Sequence, residues 1–137
     1  MKIAVVDGQG GGIGKAIIEH IKRNIKQDVQ VIALGTNSLA TSNMMKAGAD
    51  QGATGENAIR VTSSNVDIIV GPIAILVTDS MLGEISENIT VAIARSRAKK
   101  IVIPLNRCGV TVTGTKNATL QSLIIDMIRE IEKEIMQ

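Results

Sequence analysis

The chain has 137 residues and a mass of 14.5 kDa, the length of one ordinary domain, so a single domain over residues 1–137 is expected. Apolar residues make up 45% and charged residues 20%, enough to build a core, while a net charge of +2 gives no electrostatic reason for a nucleic-acid or membrane partner. Phe, Tyr and Trp are absent, which excludes a tyrosine acid or nucleophile and the stacking of bases on aromatic rings.

Lys2–Asp7 is a short apolar run stopped by glycines, and its lack of alternation predicts a strand buried on both faces of a parallel sheet. From Ile13 the period changes: Ile13, Ile17, Ile18, Ile21 and Ile25 recur at helical spacing. Val29–Leu34 reads as the second strand, broken by Gly35, and Leu39–Lys46 as a short helix stopped by Gly48. Ala49–Ala53 is a weak strand, and Thr54 is expected to cap a helix that opens at Gly55-Glu56-Asn57. Val66–Val70 is the strongest strand, ending at Gly71-Pro72; Ile73–Val77 either extends it or forms a separate segment.

Ser86-Glu87-Asn88 opens a helix to about Arg97, with its acid in the first turn and Arg95 and Arg97 in the last, as the helix dipole prefers. Lys99–Leu105 is the next buried-type strand, ended by the stretch from Pro104 to Gly109. Val110–Thr113 alternates as a short edge strand would. A final helix, Ala118 to about Met136, places Leu120, Leu123, Ile124, Met127, Ile128, Ile131 and Ile135 on one stripe. Strands alternating with helices call for right-handed crossovers between parallel neighbours. The expected fold is therefore α/β: a Rossmann-like three-layer αβα sandwich, its mostly parallel sheet having about five strands plus that edge strand.

Five glycines fall within the seven positions from Gly8 to Gly14, between the first strand and the first helix. Glycines there allow a tight turn, let a phosphate approach the backbone and let the helix pack near the strand, while the helix N-terminus faces an anion. Candidate ligand-binding residues are Gly8, Gln9, Gly10, Gly11, Gly12, Ile13, Gly14 and Lys15. Ligands in open parallel sheets bind beyond the strands' carboxyl ends. That geometry adds Thr36, Asn37, Gly71 and Pro72, and also Asn106 and Arg107, which supply a hydrogen bond and a cation for an anionic group.

A dinucleotide site usually has an acid at the end of the second strand, and Gly35-Thr36-Asn37-Ser38 offers only neutral groups. The cofactor is left open between NAD(P) and another nucleotide. Asp7 puts a negative charge near the phosphate position, or accepts loop N–H groups instead. Asp79, Ser80 and Glu84 can reach the crevice from the loop after Pro72, where a carboxylate suits a sugar or an amine. A P-loop fits less well: Gly14-Lys15 aligns, but its first glycine falls on Gln9 and its magnesium-binding hydroxyl on Ala16.

The turn Gly8-x-x-x-Gly12-Ile13-Gly14 resembles the T-G-x-x-x-G-I-G turn of short-chain dehydrogenases, with Asp7 in place of Thr. That resemblance makes Gly8, Gly12 and Gly14 pyrophosphate-approach positions, but the Tyr-x-x-x-Lys pair it also implies has no tyrosine here. D-G-Q-G-G-G-I-G-K, A-L-G-T-N, G-A-D-x-G-A-T-G-E-N-A, I-V-G-P-I and P-L-N-R-C together resemble a family of short bacterial Rossmann-like proteins classed as a domain of unknown function. The resemblance spans nearly the whole chain and implies stand-alone proteins of this size without an assigned activity.

Cys108 is the only cysteine and His20 the only histidine, so neither an intrachain disulfide nor a usual structural zinc site can form. Cys108 is a nucleophile only if a base or positive field activates it, and His20 sits on the first helix, where it reads as a flank residue. With no signal-peptide pattern and no apolar stretch of membrane-spanning length, the expected location is the cytoplasm. The expected function is the binding of a nucleotide or other small phosphorylated ligand at Gly8–Lys15, in a homodimer. The alternatives are a small enzyme using Asn106, Arg107 and Cys108 at the same crevice, and an interaction protein with a vestigial loop.

Overall fold

A computed structural model of the chain describes residues 1–105 and 108–137. Five parallel strands form one sheet: β1 (Lys2–Asp7), β2 (Gln30–Gly35), β3 (Gln51–Thr54), β4 (Ile68–Pro72) and β5 (Lys99–Ile103), in the order β3-β2-β1-β4-β5. The helices are α1 (Gly12–Asn24), α2 (Ser38–Lys46), α3 (Glu56–Ser63), α4 (Glu87–Arg95) and α5 (Leu120–Ile135). The expected α/β three-layer sandwich is the fold observed. Strand order reverses between β1 and β4, which places the crevice of an open α/β sheet beyond the carboxyl end of β1.

The two-residue period of a strand sorts the core into two layers. Ile3 and Val5 of β1, with Val31, Ala33, Ile68 and Val70, pack against α1, α2 and α5 through Ile17, Ile18, Ile21, Met44, Ile124 and Ile128. Ala4 and Val6, with Ile32, Leu34 and Ile69, pack against α3 and α4 through Ile59, Ile89 and Ile93. Isoleucine fills the space that aromatic rings take in other cores.

Several boundaries differ from the sequence expectation. Ile73–Leu76 is a short 3-10 helix, its Ile75 buried, and β4 carries Gly71 and Pro72 as its last two residues. Pro72 is tolerated there because a missing N–H matters least at a strand end. Thr54 is not a cap: it ends β3 and donates its hydroxyl to Thr41 Oγ1 at 2.8 Å, while Gly55, at φ 101°, precedes α3. Val110–Thr113 forms no strand. Gly109 and Gly114 take left-handed φ values of 75° and 87°, and Thr115 Oγ1 donates to the Val112 carbonyl at 2.6 Å, so the segment turns instead of extending. Among the described residues no helix is long and apolar enough to cross a membrane.

Candidate functional site

The glycine loop leaves β1 at Asp7 and enters α1 at Gly12. Asp7 is almost wholly buried, and its carboxylate accepts the Gly8 N–H through Oδ1 and the Gly14 N–H through Oδ2, both at 2.8 Å. Gly14 is the third residue of α1, so the chain's own acid takes one of the orphan donors of the helix start. Burial pushes the Asp7 carboxyl above its ordinary range, against the hydrogen bonds from Gly14 and Gly8, and the charge of Glu84 adds to the rise.

Two asparagines of the second crossover turn the loop's carbonyls aside. Asn37 caps α2, its Oδ1 accepting the Ala40 N–H, and donates Nδ2 to the Gln9 carbonyl at 2.9 Å. Asn43 donates to the Gly10 carbonyl at 2.8 Å. In a trans peptide the N–H points opposite to the C=O. The Gln9 carbonyl faces Asn37, so the Gly10 N–H faces away from α2. The Gly11 carbonyl accepts the Lys15 N–H down the helix at 2.8 Å, so the Gly12 N–H points out of the helix start. Neither N–H has an acceptor among the described residues, whereas the Gly11 N–H is closed onto the Gly8 carbonyl and the Gln9 N–H onto Glu84.

The five glycines are not equivalent. A Cβ on Gly8 would meet Thr36 Oγ1 at 2.6 Å, and one on Gly14 would meet Met44 and the Cβ of Asp7. Gly11, at φ 69°, would meet the backbone of Ala40 at 2.9 Å. Gly10 and Gly12 have no such reason to be glycine: a Cβ would meet nothing within 4 Å, and neither takes a left-handed φ. Besides Gly11, the loop residue that takes a left-handed φ is Gln9, at 50°, which is not a glycine. The fold explains three glycines and leaves two bare in the exposed part of the loop.

Those two help to floor a cleft of about 500 Å³ lined by Asp7, the loop from Gly8 to Ile13, and the apolar side chains of Met81, Leu105 and Leu120. The volume falls in the range of small-molecule sites. Of the residues singled out in the sequence, Gly8, Gln9, Gly10, Gly11, Gly12 and Ile13 line this cleft. Gly14 and Lys15 lie deeper in α1, Gly14 buried and Lys15 exposed, and neither is part of the lining. Gly71 and Pro72 are buried in β4, opposite Val102 and Ile103 of β5, and a Cβ on Gly71 would strike the Val6 carbonyl, so sheet packing accounts for that glycine. Thr36 and Asn37 are turned to Glu84, a residue the sequence placed within reach but gave no reason to rank. Asn106 and Arg107 lie outside the described residues.

Neither of the other reactive side chains lines the cleft, although Cys108 neighbours one of its walls, Leu105. Cys108 is half-buried, its Sγ 4.0 Å from the Leu105 carbonyl. His20 donates Nδ1–H to the Ala16 carbonyl at 2.8 Å and lines a separate groove of about 250 Å³ with Asn24, Ile125 and Arg129. Among the described residues no cluster of His, Cys, Asp and Glu is placed to hold a metal ion.

A family model matches residues 2–136. The chain belongs to that family, the domain of unknown function DUF3842. The DUF3842 chain matches no curated protein. Among solved structures it is similar to a dodecameric FMN-dependent UbiX-like decarboxylase from Escherichia coli, with a TM-score of 0.54 and 12% identity over 100% of this chain and 96% of that one. A probable oxidoreductase from Mycobacterium abscessus gives a TM-score of 0.49 and 20% identity, over 98% of this chain and 42% of that one. At 12% identity the likeness to the decarboxylase shows the α/β fold alone.

Proposed function

We propose that this DUF3842 protein binds a nucleotide, or another small phosphorylated molecule, on the Gly10 and Gly12 N–H groups of the glycine loop. The observation that carries the reading is the pair of glycines that the fold does not require, each with an N–H that has no acceptor among the described residues, beside a cleft of ligand size. A phosphate needs bare backbone donors at a helix start and no side chain in its way, and Gly10 and Gly12 meet both needs. Asp7 removes the inner donors, Gly8 and Gly14, and so confines the anion to the loop's outer rim. The apolar walls of Met81, Leu105 and Leu120 suit the flat face of a base or other ring. The donors and walls named here support binding, and the reading is of a binding function. It is placed in the cytoplasm, in a homodimer.

A thermal-shift series with an external dye tests it, since the chain lacks aromatic residues. The probes are NAD(H), NADP(H), ATP, GTP, FMN, nucleotide sugars and pyrophosphate; FMN is included because the UbiX-like neighbour depends on it. A ligand at about 100 times its Kd stabilises the fold by about 2.7 kcal/mol, a clear rise in midpoint. At least one probe should raise the midpoint of the natural protein and leave that of Gly12→Val unmoved. Equal shifts in both proteins, or none with any probe, would contradict the reading.

A further inference from the structure

A nucleotide site on this fold usually draws an acid from the end of the second strand, and the sequence there has none. The structure brings one from the loop after β4. Glu84 lies across the ends of β1 and β2, where its Oε1 accepts the Thr36 hydroxyl at 2.6 Å, Asn37 Nδ2 at 2.8 Å and the Gln9 N–H at 2.9 Å. We propose that Glu84 is the specificity-determining acid of the glycine-loop cleft. Held by these three donors through Oε1, it presents its carboxylate to the free hydroxyls of a ribose and so selects an unmodified ribonucleotide. The inference rests on the nucleotide reading of the loop given above.

Three donors on one oxygen fix the carboxylate, while Oε2 has no partner among the described residues and keeps its capacity to accept. Glu84, Thr36 and Asn37 are not themselves lining residues of the cleft; Glu84 adjoins two that are, bonding the Gln9 N–H and lying with its Oε1 3.2 Å from where a Cβ on Gly8 would sit. The loop that delivers it is closed by the Asp79 N–H on the Ile85 carbonyl at 2.7 Å and anchored by buried Ile85. It holds Asp79, Met81 and Leu82 at left-handed φ values of 67°, 56° and 56°, a conformation that costs L-residues energy and is kept only where surrounding contacts enforce it. The polar ends of the site are thereby separated. Bare N–H groups at Gly10 and Gly12 take the phosphate, and an acceptor-only carboxylate by Thr36 takes hydroxyl donors and repels a second phosphate. Thr36 and Asn37 act through Glu84 as positioning residues.

The opposite assignment, Glu84 as an internal stand-in for a ligand anion on the same donors, gives the opposite sign in a binding experiment. Isothermal titration of the full chain would use the four ribonucleoside 5′-monophosphates, their 2′-deoxy counterparts and adenosine 2′,5′-bisphosphate. The natural protein should prefer the ribo form it binds over the 2′-deoxy form by about tenfold or more, the usual worth of a hydrogen bond to a charged group. Glu84→Gln should reduce that preference to near unity while still binding phosphate, and Thr36→Val, which leaves the charge but loosens its seat, should reduce it partly. Unchanged preference in Glu84→Gln would overturn the inference, as would tighter binding of every probe, which is the behaviour of a displaced internal anion. Failure of every ribonucleotide to bind the natural protein would instead remove the nucleotide reading on which the inference stands.

Discussion

Asp7 at the end of β1 and Glu84 in the loop after β4 both bond to the glycine loop, with opposite tendencies. Burial raises the Asp7 carboxyl. Burial also pushes Glu84 upward, but the hydrogen bonds from Thr36, Gln9 and Asn37 outweigh it and hold the acid below its ordinary range. Asp50 is held low as well, chiefly by the Val31 N–H and then by Lys22. An acid raised by folding adds most to stability when protonated, so the Asp7 contribution grows as pH falls through its raised value. Those of Glu84 and Asp50 are present above the ordinary carboxylate range and are lost as pH falls through their lowered values. Asp7→Asn removes the one opposing contribution. Its thermal midpoint should therefore lack the gain that Asp7 gives the natural protein as pH falls from neutrality to the ordinary carboxylate range, where the Glu84 and Asp50 contributions are still intact. Parallel curves would show that Asp7 is not a strained acid.

Among the elements, α1 is the one on which the account depends, because it packs against β1 and also opens the cleft. Gly14 lets it do so: a Cβ there would press on Met44, which is fully buried and cannot retreat, and on Asp7. Gly14→Ala should cost about 1–3 kcal/mol, the range of overpacked cores. Gly12→Ala, in open space at the first helical position, should leave stability unchanged or raise it by up to about 1 kcal/mol. Denaturant midpoints of the two variants measure this, and equal losses would mean that both glycines serve packing.

The same elements show what the sequence could disclose. Ile13, Ile17, Ile18 and Ile21 announce α1 because its period is local, and the uniform apolar runs of β1 and β4 announce strands covered on both faces. Thr54 misleads because a hydroxyl before an acidic residue is a cap signal, yet Thr41 in α2 claims it and Gly55 makes the turn. Val110–Thr113 alternates without a neighbouring strand to pair with, which periodicity alone cannot reveal. The glycine loop was legible as a tight strand-to-helix turn, but the distinction between Gly8, Gly11 and Gly14 and the bare pair Gly10 and Gly12 depends on Thr36, Ala40 and Met44, farther along the chain. Glu84 acts at Gln9 across a separation of 75 residues, and no local pattern carries that contact.

For the molecule as a whole, the crossovers put three helices on one face of the sheet and two on the other, and gather the loops at the carboxyl ends of the strands. Large apolar side chains remain exposed outside that core: Leu39 on α2, Val61 on α3, Ile125 on α5, and Leu82, which is 99% exposed beside the cleft. Singly exposed side chains of this kind are ordinary on a protein surface, so the proposed homodimer needs a direct test. Light scattering at micromolar concentration should give twice the 14.5 kDa chain mass, and the single-chain mass would refute the homodimer. The two backbone donors, Gly10 and Gly12, are read directly by their amide resonances. In a nitrogen-15-labelled sample titrated with pyrophosphate and with ADP, the Gly10 and Gly12 amide protons should move strongly downfield, while those of Gly8 and Gly14, already held by Asp7, stay nearly fixed. Movement confined to other regions, or no movement with either probe, would contradict the account.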